Sequence, residues 1–155
     1  MFDKKEFTDF LMEAKKKTYA GHGKETRPSR LQSKDLPYTR DNYQYLDSYF
    51  GDIDFIGQEV VWINGRAAWG MNYYGEMMVA NIPEAFSDCL KGALREVPFN
   101  APYRGPKTFT HGKLEYRCEW LGDLESFTGT ETISEGGKEI YKLSFHGGKI
   151  KSFEG

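Results

Sequence analysis

Residues 59–69 read EVVWINGRAAW, and this stretch decides the fold. Two apolar runs flank Asn64-Gly65, the dipeptide that favours a type I′ turn, so they predict a β-hairpin with a two-residue loop. Such a loop fixes which residues of the two strands face each other. The expected register places Trp62 and Trp69 on one bulky, buried face of the hairpin.

Helical and strand patterns on both sides of this hairpin predict an α+β domain. Apolar residues at helical spacing indicate a helix from Asp3 to about Lys17, and its Lys15-Lys16-Lys17 run is expected to be a solvated helix end. A second amphipathic helix is expected between Pro83 and Pro98. Three alternating stretches follow each helix, which predicts an antiparallel sheet of about six strands with two helices, arranged as two αβββ halves. These similar halves suggest a pseudo-repeat, although no residue-level self-similarity accompanies them.

The chain length predicts one domain covering residues 1–155. Residues 21–41 show no periodicity and contain Pro28 and Pro37. We expect a long loop there, either a lid or a disordered segment, because structureless stretches of this length are uncommon inside small domains.

Composition narrows the class of protein. The chain has three Trp, ten Tyr and eleven Phe, a content that predicts a ring-rich core or a ring-lined cavity. Its net charge of −2 argues against nucleic-acid binding by this chain alone. The sequence has neither an apolar run long enough to span a membrane nor a signal peptide, so it predicts a cytoplasmic protein without membrane contact.

Spacing of the reactive residue types gives no catalytic motif. The three His residues are far apart and no Cys/His ligand spacing occurs, so we expect no metal site, and no motif calls for a cofactor. Cys89 and Cys118 are expected to be reduced, small buried hydrophobes.

Several strings resemble a bacterial family of domains of unknown function. They are Phe7-x-x-Phe10-Leu11-x-x-Ala14-Lys15, Gly57-Gln58-Glu59-Val60-Val61-Trp62, Trp69-Gly70-Met71-Asn72-Tyr73-Tyr74-Gly75, Arg104-Gly105-Pro106, Tyr116-x-Cys118, Phe127-x-Gly129-x-Glu131-x-Ile133 and Phe145-His146-Gly147-Gly148. The resemblance spans about residues 7 to 150. Members of that family occur alone or attached to a helix-turn-helix region, which implies a sensing or partner-contacting role in regulation. This chain has no helix-turn-helix segment, and Gln58 stands where the family has an acidic residue.

Polar side chains on apolar faces are the candidate ligand-binding residues. They are Asp47, Glu59, Asn72, Tyr73, Arg104, Glu131 and His146. The hairpin register sets Glu59 opposite Gly70, and a Gly122-Asp123 turn sets Glu131 opposite Leu114. A bulge in the last hairpin places Leu143 opposite Glu131 from the other side.

Glu131 carries the most specific of these expectations. An ionised carboxylate on an apolar face is costly without a partner, so Glu131 is expected to be hydrogen-bonded on the concave inner face. Gly129 beside it is expected to leave room for a pocket lined by Tyr and Trp rings.

These features favour a small-molecule-binding or sensor module with an aromatic-lined pocket. An enzyme that uses buried carboxylates as acid and base remains an alternative, although the absence of a catalytic motif weighs against it. An interaction or dimerisation module, including a homodimer, is a third hypothesis.

Overall fold

The computed structural model describes residues 3–21 and 23–153. The elements in chain order are α1 (Lys4–Lys17), β1 (Lys34–Arg40), β2 (Tyr43–Phe50), β3 (Phe55–Ile63), β4 (Arg66–Met77), α2 (Phe86–Arg95), β5 (Thr108–His111), β6 (Leu114–Asp123), β7 (Ser126–Glu135) and β8 (Lys138–Lys149). The strands form one antiparallel sheet in the order β1-β2-β3-β4-β8-β7-β6-β5. The α+β class, the two helices and the antiparallel sheet are therefore confirmed.

Among the described residues the sheet has eight strands, so the expectation of about six was too low. The two additional strands, β1 and β5, form its edges. β1 takes residues 34–40 out of the predicted 21–41 loop. Pro37 lies within β1, and an edge strand accommodates proline because one side of its backbone needs no hydrogen-bond donors. Because proline is uncommon in strands, the sequence pattern predicted a loop where the structure has strand β1.

Helix α1 begins as its sequence predicts but differs at its end. Asp3 caps it by accepting a hydrogen bond from the Glu6 backbone nitrogen at 2.9 Å. The expectation of a solvated helix end is wrong for Lys15, which is fully buried, while Lys16 and Lys17 are exposed. Lys15 follows the buried Leu11 by four residues and so lies on the apolar stripe of the helix.

The Asn64-Gly65 turn forms, but a bulge changes the register beyond it. Trp62 pairs with Ala67 as expected, whereas Trp69 pairs with Val61, so one extra residue enters β4. A shift of one residue reverses the faces of a strand relative to its neighbour. The shared buried face for Trp62 and Trp69 is consequently wrong: Trp69 is fully buried and Trp62 is half-buried.

The same shift sets Glu59 opposite Met71 instead of Gly70. Glu131 also differs, because it lies opposite Cys118 and not Leu114. The β6–β7 turn comes two residues later than expected, where the Asp123 carboxylate accepts from the Glu125 nitrogen at 3.0 Å. Leu143 does lie opposite Glu131, as the bulged register predicted.

Equivalent strand pairings, Glu59 with Met71 and Glu131 with Leu143, relate the two halves, and matching strings accompany them, so the expectation of no residue-level self-similarity is wrong. Residues 7–15, FTDFLMEAK, correspond to residues 86–94, FSDCLKGAL. The strings Phe55-x-Gly57-x-Glu59 in β3 and Phe127-x-Gly129-x-Glu131 in β7 also correspond. The sheet order reads the same from either edge, with β4 and β8 paired at the centre. The fold is therefore a pseudo-twofold pair of αββββ halves.

Both helices pack on one face of the sheet, which we call the inner face. Ring contacts show the correspondence of the halves: Phe7 of α1 meets Trp69 of β4 edge to face at 5.9 Å, and Phe86 of α2 meets Tyr141 of β8 in the same way at 5.1 Å. Of the helices within residues 3–21 and 23–153, none is long and apolar enough to cross a membrane.

Candidate functional site

Among the described residues, five acidic or basic side chains lie buried on the inner face. They are Lys15 (0% exposed), Asp47 (2%), Glu59 (0%), Arg104 (3%) and Glu131 (0%). Burying a charge costs several kcal/mol unless hydrogen bonds and an opposite charge compensate it. The partners of each group therefore decide what the site can do.

Lys15 and Glu59 form the first ion pair. The Lys15 ammonium donates to Glu59 Oε1 at 2.6 Å, to the Tyr103 carbonyl oxygen at 2.8 Å and to the Tyr19 hydroxyl at 3.2 Å. Tyr45 also donates to Glu59 Oε1, at 2.8 Å. Glu59 Oε2 is buried and has no hydrogen-bond partner among the described residues. Burial lowers the pKa of Lys15, and the attraction of Glu59 opposes this effect.

Arg104 and Glu131 form the second ion pair, which is bidentate. Arg104 Nε donates to Oε1 at 3.0 Å and Nη2 donates to Oε2 at 2.8 Å. The hydroxyls of Tyr116 and Tyr141 donate to the two carboxylate oxygens at 2.6 and 2.7 Å. The predicted hydrogen-bonded state of Glu131 on the inner face is therefore confirmed.

Asp47 is the third carboxyl, and no ion pair holds it within the described part of the chain. Its Oδ1 accepts a hydrogen bond from the Tyr73 hydroxyl at 2.6 Å. Burial and the nearby charge of Glu59 raise the pKa of Asp47 to about 7, against the lowering effects of Tyr73, Arg104 and Lys15. Asp47 is thus the charged group of the cluster that has no oppositely charged partner among the described residues.

Asp47 faces a cavity of about 300 Å³ that lies between α2 and the β2–β4 region of the sheet. Its lining residues are Tyr19, Lys34, Asp47, Tyr49, Gly51, Asp52, Phe55, Tyr73, Phe86, Ser87, Leu90, Lys91, Leu94 and Arg104. Lys34 and Asp52 pair with each other. A mostly apolar and aromatic wall with a few convergent polar groups is typical of small-molecule sites.

A family model described as a domain of unknown function, DUF5680, matches residues 47–150. The chain belongs to this family. The match includes strands β3 to β8, helix α2 and the second half of β2, so it contains the pseudo-twofold centre and the carboxylates of the cluster. No curated protein and no solved structure matches the chain.

Within the DUF5680 domain the structure divides the predicted site residues into three groups. Asp47, Tyr73 and Arg104 line the cavity. Glu59 and Glu131 lie outside its lining and hold Lys15 and Arg104.

Asn72 and His146 form the third group, on the opposite, outer face of the sheet. Gln58 donates to Asn72 Oδ1 at 2.8 Å, and Asn72 Nδ2 lies 3.4 Å from His146 Nε2. Successive residues of a strand point to opposite faces, so Asn72 cannot share the inner face with Tyr73. The sheet therefore separates these two candidates from the cavity.

The space expected beside Gly129 is occupied, so that part of the prediction is wrong. A Cβ atom at Gly129 would lie 2.1 Å from Cζ of Phe145, whose ring covers the glycine. The cavity lies on the Asp47 side instead, and Tyr and Phe rings line it without any of the Trp rings.

Lys15 and Tyr19 belong to the site but are not among the residues predicted from the sequence. Lys15 was grouped with its two lysine neighbours, although it continues the buried series Phe7, Leu11 at intervals of four. The internal repeat gives a second signal, because Lys15 corresponds to the buried Leu94. A lysine at a core position of a repeat indicates a buried, paired charge.

Metal binding has no support among residues 3–21 and 23–153, where no three His, Cys, Asp or Glu side chains are placed to share an ion. Cys89 and Cys118 are free and buried, which confirms the prediction for both. Burial raises the pKa of Cys118 to about 12, so its thiol is a poor nucleophile.

Proposed function

We propose that this DUF5680 domain binds a small organic molecule in the cavity that Asp47 and Arg104 line. The observation that carries the proposal is a buried carboxyl that has no cationic partner among the described residues and faces a cavity with aromatic walls. Evolved binding sites combine apolar contact area with a few placed polar groups, and this cavity has both.

The ion pairs support this role by making the site rigid. Arg104 is fixed by Glu131 through two hydrogen bonds, so it presents the rest of its guanidinium in a defined orientation. Tyr73 is fixed by its bond to Asp47. A preorganised site loses less conformational entropy when a ligand binds.

A thermal-shift screen against a metabolite panel tests the proposal. A ligand that binds only the native state raises the melting temperature by mass action. We expect at least one compound to raise the melting temperature of the wild type and of the control Glu139→Gln, which removes an exposed carboxylate at the start of β8. The same compound should raise that of Asp47→Asn much less. Absence of any Asp47-dependent shift across the panel would contradict the proposal.

A second candidate function is an enzyme that uses Asp47 as a general acid or base. A carboxyl whose pKa is about 7 can donate or accept a proton near neutral pH, as general catalysis requires. Mass spectrometry of a bound compound after incubation distinguishes the two functions. Recovery of unchanged compound favours binding, and an Asp47-dependent change of mass favours catalysis.

A further inference from the structure

The two halves of the fold differ in what occupies corresponding positions on the inner face. Phe55 corresponds to Phe127 and Tyr73 to Phe145, with the same spacing along the chain. Each ring lies over a corresponding glycine: Phe55 covers Gly75, and Phe127 covers Gly147. The ring pairs also match, since the Phe55 and Tyr73 centroids lie 6.0 Å apart and those of Phe127 and Phe145 lie 6.2 Å apart.

In the second half, the side chain of Tyr103 fills the space beside these rings. The Tyr103 ring stacks on Phe127 at 3.9 Å with an interplanar angle of 15°. It also contacts Trp120 at 6.4 Å and Phe145 at 6.1 Å. Tyr103 is fully buried there and belongs to the loop between α2 and β5.

In the first half, the counterparts of those three contact residues line the cavity. Phe55 corresponds to Phe127 and Tyr73 to Phe145, while Tyr49 corresponds to Trp120 because both lie opposite the repeated glycine of the next strand. The cavity is therefore the position that a phenol ring occupies in the other half. The Tyr103 side chain thus shows that this arrangement of rings accommodates a flat phenol ring.

The charges of the buried cluster indicate that the ligand in the cavity is positively charged. Two buried cations are each paired with one glutamate, and Asp47 remains as a third carboxylate. A bound cation next to Asp47 would bring the net charge of this inner-face cluster to zero, whereas a bound anion would add a second unmatched negative charge. The rings of this wall already accept cations: Lys34 Nζ lies 5.5 Å from the Tyr49 centroid, and Arg104 Cζ lies 5.4 Å from that of Tyr73.

We infer that the cavity binds an arylalkylamine, with its ring against Phe55 and Tyr49 in the manner of Tyr103 in the other half, and its ammonium group paired with Asp47. The two contacts are compatible in position, because Asp47 and Tyr49 are alternate residues on the inner face of β2. This inference rests on the proposed binding function and narrows it to one ligand class.

Four probes of similar size test the inference. Three of them differ from the first in a single property, either the charge or the aromatic ring. The four probes are 2-phenylethylamine, 2-phenylethanol (neutral), 3-phenylpropanoate (anionic) and 2-cyclohexylethylamine (cationic without an aromatic ring). Affinities are measured by NMR titration or calorimetry at one pH and salt concentration. We expect 2-phenylethylamine to bind at least tenfold more tightly than each of the other three.

Two variants and one control connect that affinity to the cavity. Asp47→Asn should weaken 2-phenylethylamine at least tenfold and leave 2-phenylethanol within about threefold, while Glu139→Gln should change neither. Leu90→Trp, which enlarges a side chain of the lining, should weaken every probe. An unaltered circular dichroism spectrum and a cooperative melting transition of each variant are the checks on folding.

Each result has a defined consequence. Tighter binding of the neutral or anionic probe would contradict a positively charged ligand. Equal binding of 2-cyclohexylethylamine would contradict the requirement for an aromatic ring. If none of the probes binds while the metabolite panel yields an Asp47-dependent ligand, the inference fails and the proposed function stands. If the panel also yields none, both fail.

Discussion

Replacement of Asp47 by Asn should make the protein more stable at alkaline pH, by an amount that the structure allows us to work out. The folded-state pKa of Asp47 is about 7 against 3.8 for an ordinary aspartate, because of burial and the charge of Glu59. The folded protein therefore holds a proton that the unfolded chain releases, and its stability falls as pH rises from about 4 to about 7. Full ionisation costs about 4 kcal/mol by this linkage, of which about 2–3 kcal/mol falls between pH 5 and pH 8.

Asn keeps an oxygen that can accept from Tyr73 but removes the charge, so this pH-dependent cost disappears in the variant. Denaturant unfolding of the wild type and of Asp47→Asn at pH 5, 6, 7 and 8 gives the difference in free energy of unfolding. We expect this difference to move in favour of the variant by about 2–3 kcal/mol across that range. Titrating groups remote from Asp47 cancel in the comparison. Parallel pH profiles would refute the raised pKa of Asp47.

Three further predictions concern the core. Trp69→Ala should cost about 3–5 kcal/mol, because this ring is fully buried, and Trp62→Ala should cost clearly less; equal losses would contradict the observed register. Glu131→Gln should destabilise the fold by about 3–5 kcal/mol in denaturant unfolding, since it leaves Arg104 buried without its charge partner, and a near-neutral effect would contradict the ion pair. Cys89 and Cys118 should react with a disulfide reagent only after unfolding, because both are buried and burial raises the pKa of each thiol; rapid labelling of the native protein would disprove this.

The elements that could be predicted from sequence are those with a local physical cause. Helix α1 follows from its apolar spacing and the Asp3 cap, and the first hairpin turn follows from Asn64-Gly65. The register beyond that turn could not be predicted, because a bulge adds one residue without any glycine or proline to mark it. Strand β1 stayed hidden because Pro37 reads as a strand breaker, although an edge position tolerates it.

The candidate site was predicted in its residue types but not in its location. Asp47, Glu59 and Glu131 stood out because carboxylates are uncommon on apolar faces. Sequence alone could not place the cavity, because it lies where the described residues of the loop after α1 provide no counterpart to the Tyr103 ring. That difference between two halves becomes visible only when the halves are superimposed through their strand pairing.

The central claim is that the cavity beside Asp47 is the binding site of this domain. An ¹H–¹⁵N correlation titration with the compounds that raise the melting temperature tests it most directly. We expect the largest saturable shifts at the amides of Asp47, Tyr73 and Leu90, and their loss in Asp47→Asn. Shifts confined to the outer face around Asn72 and His146, unchanged by that substitution, would contradict the claim.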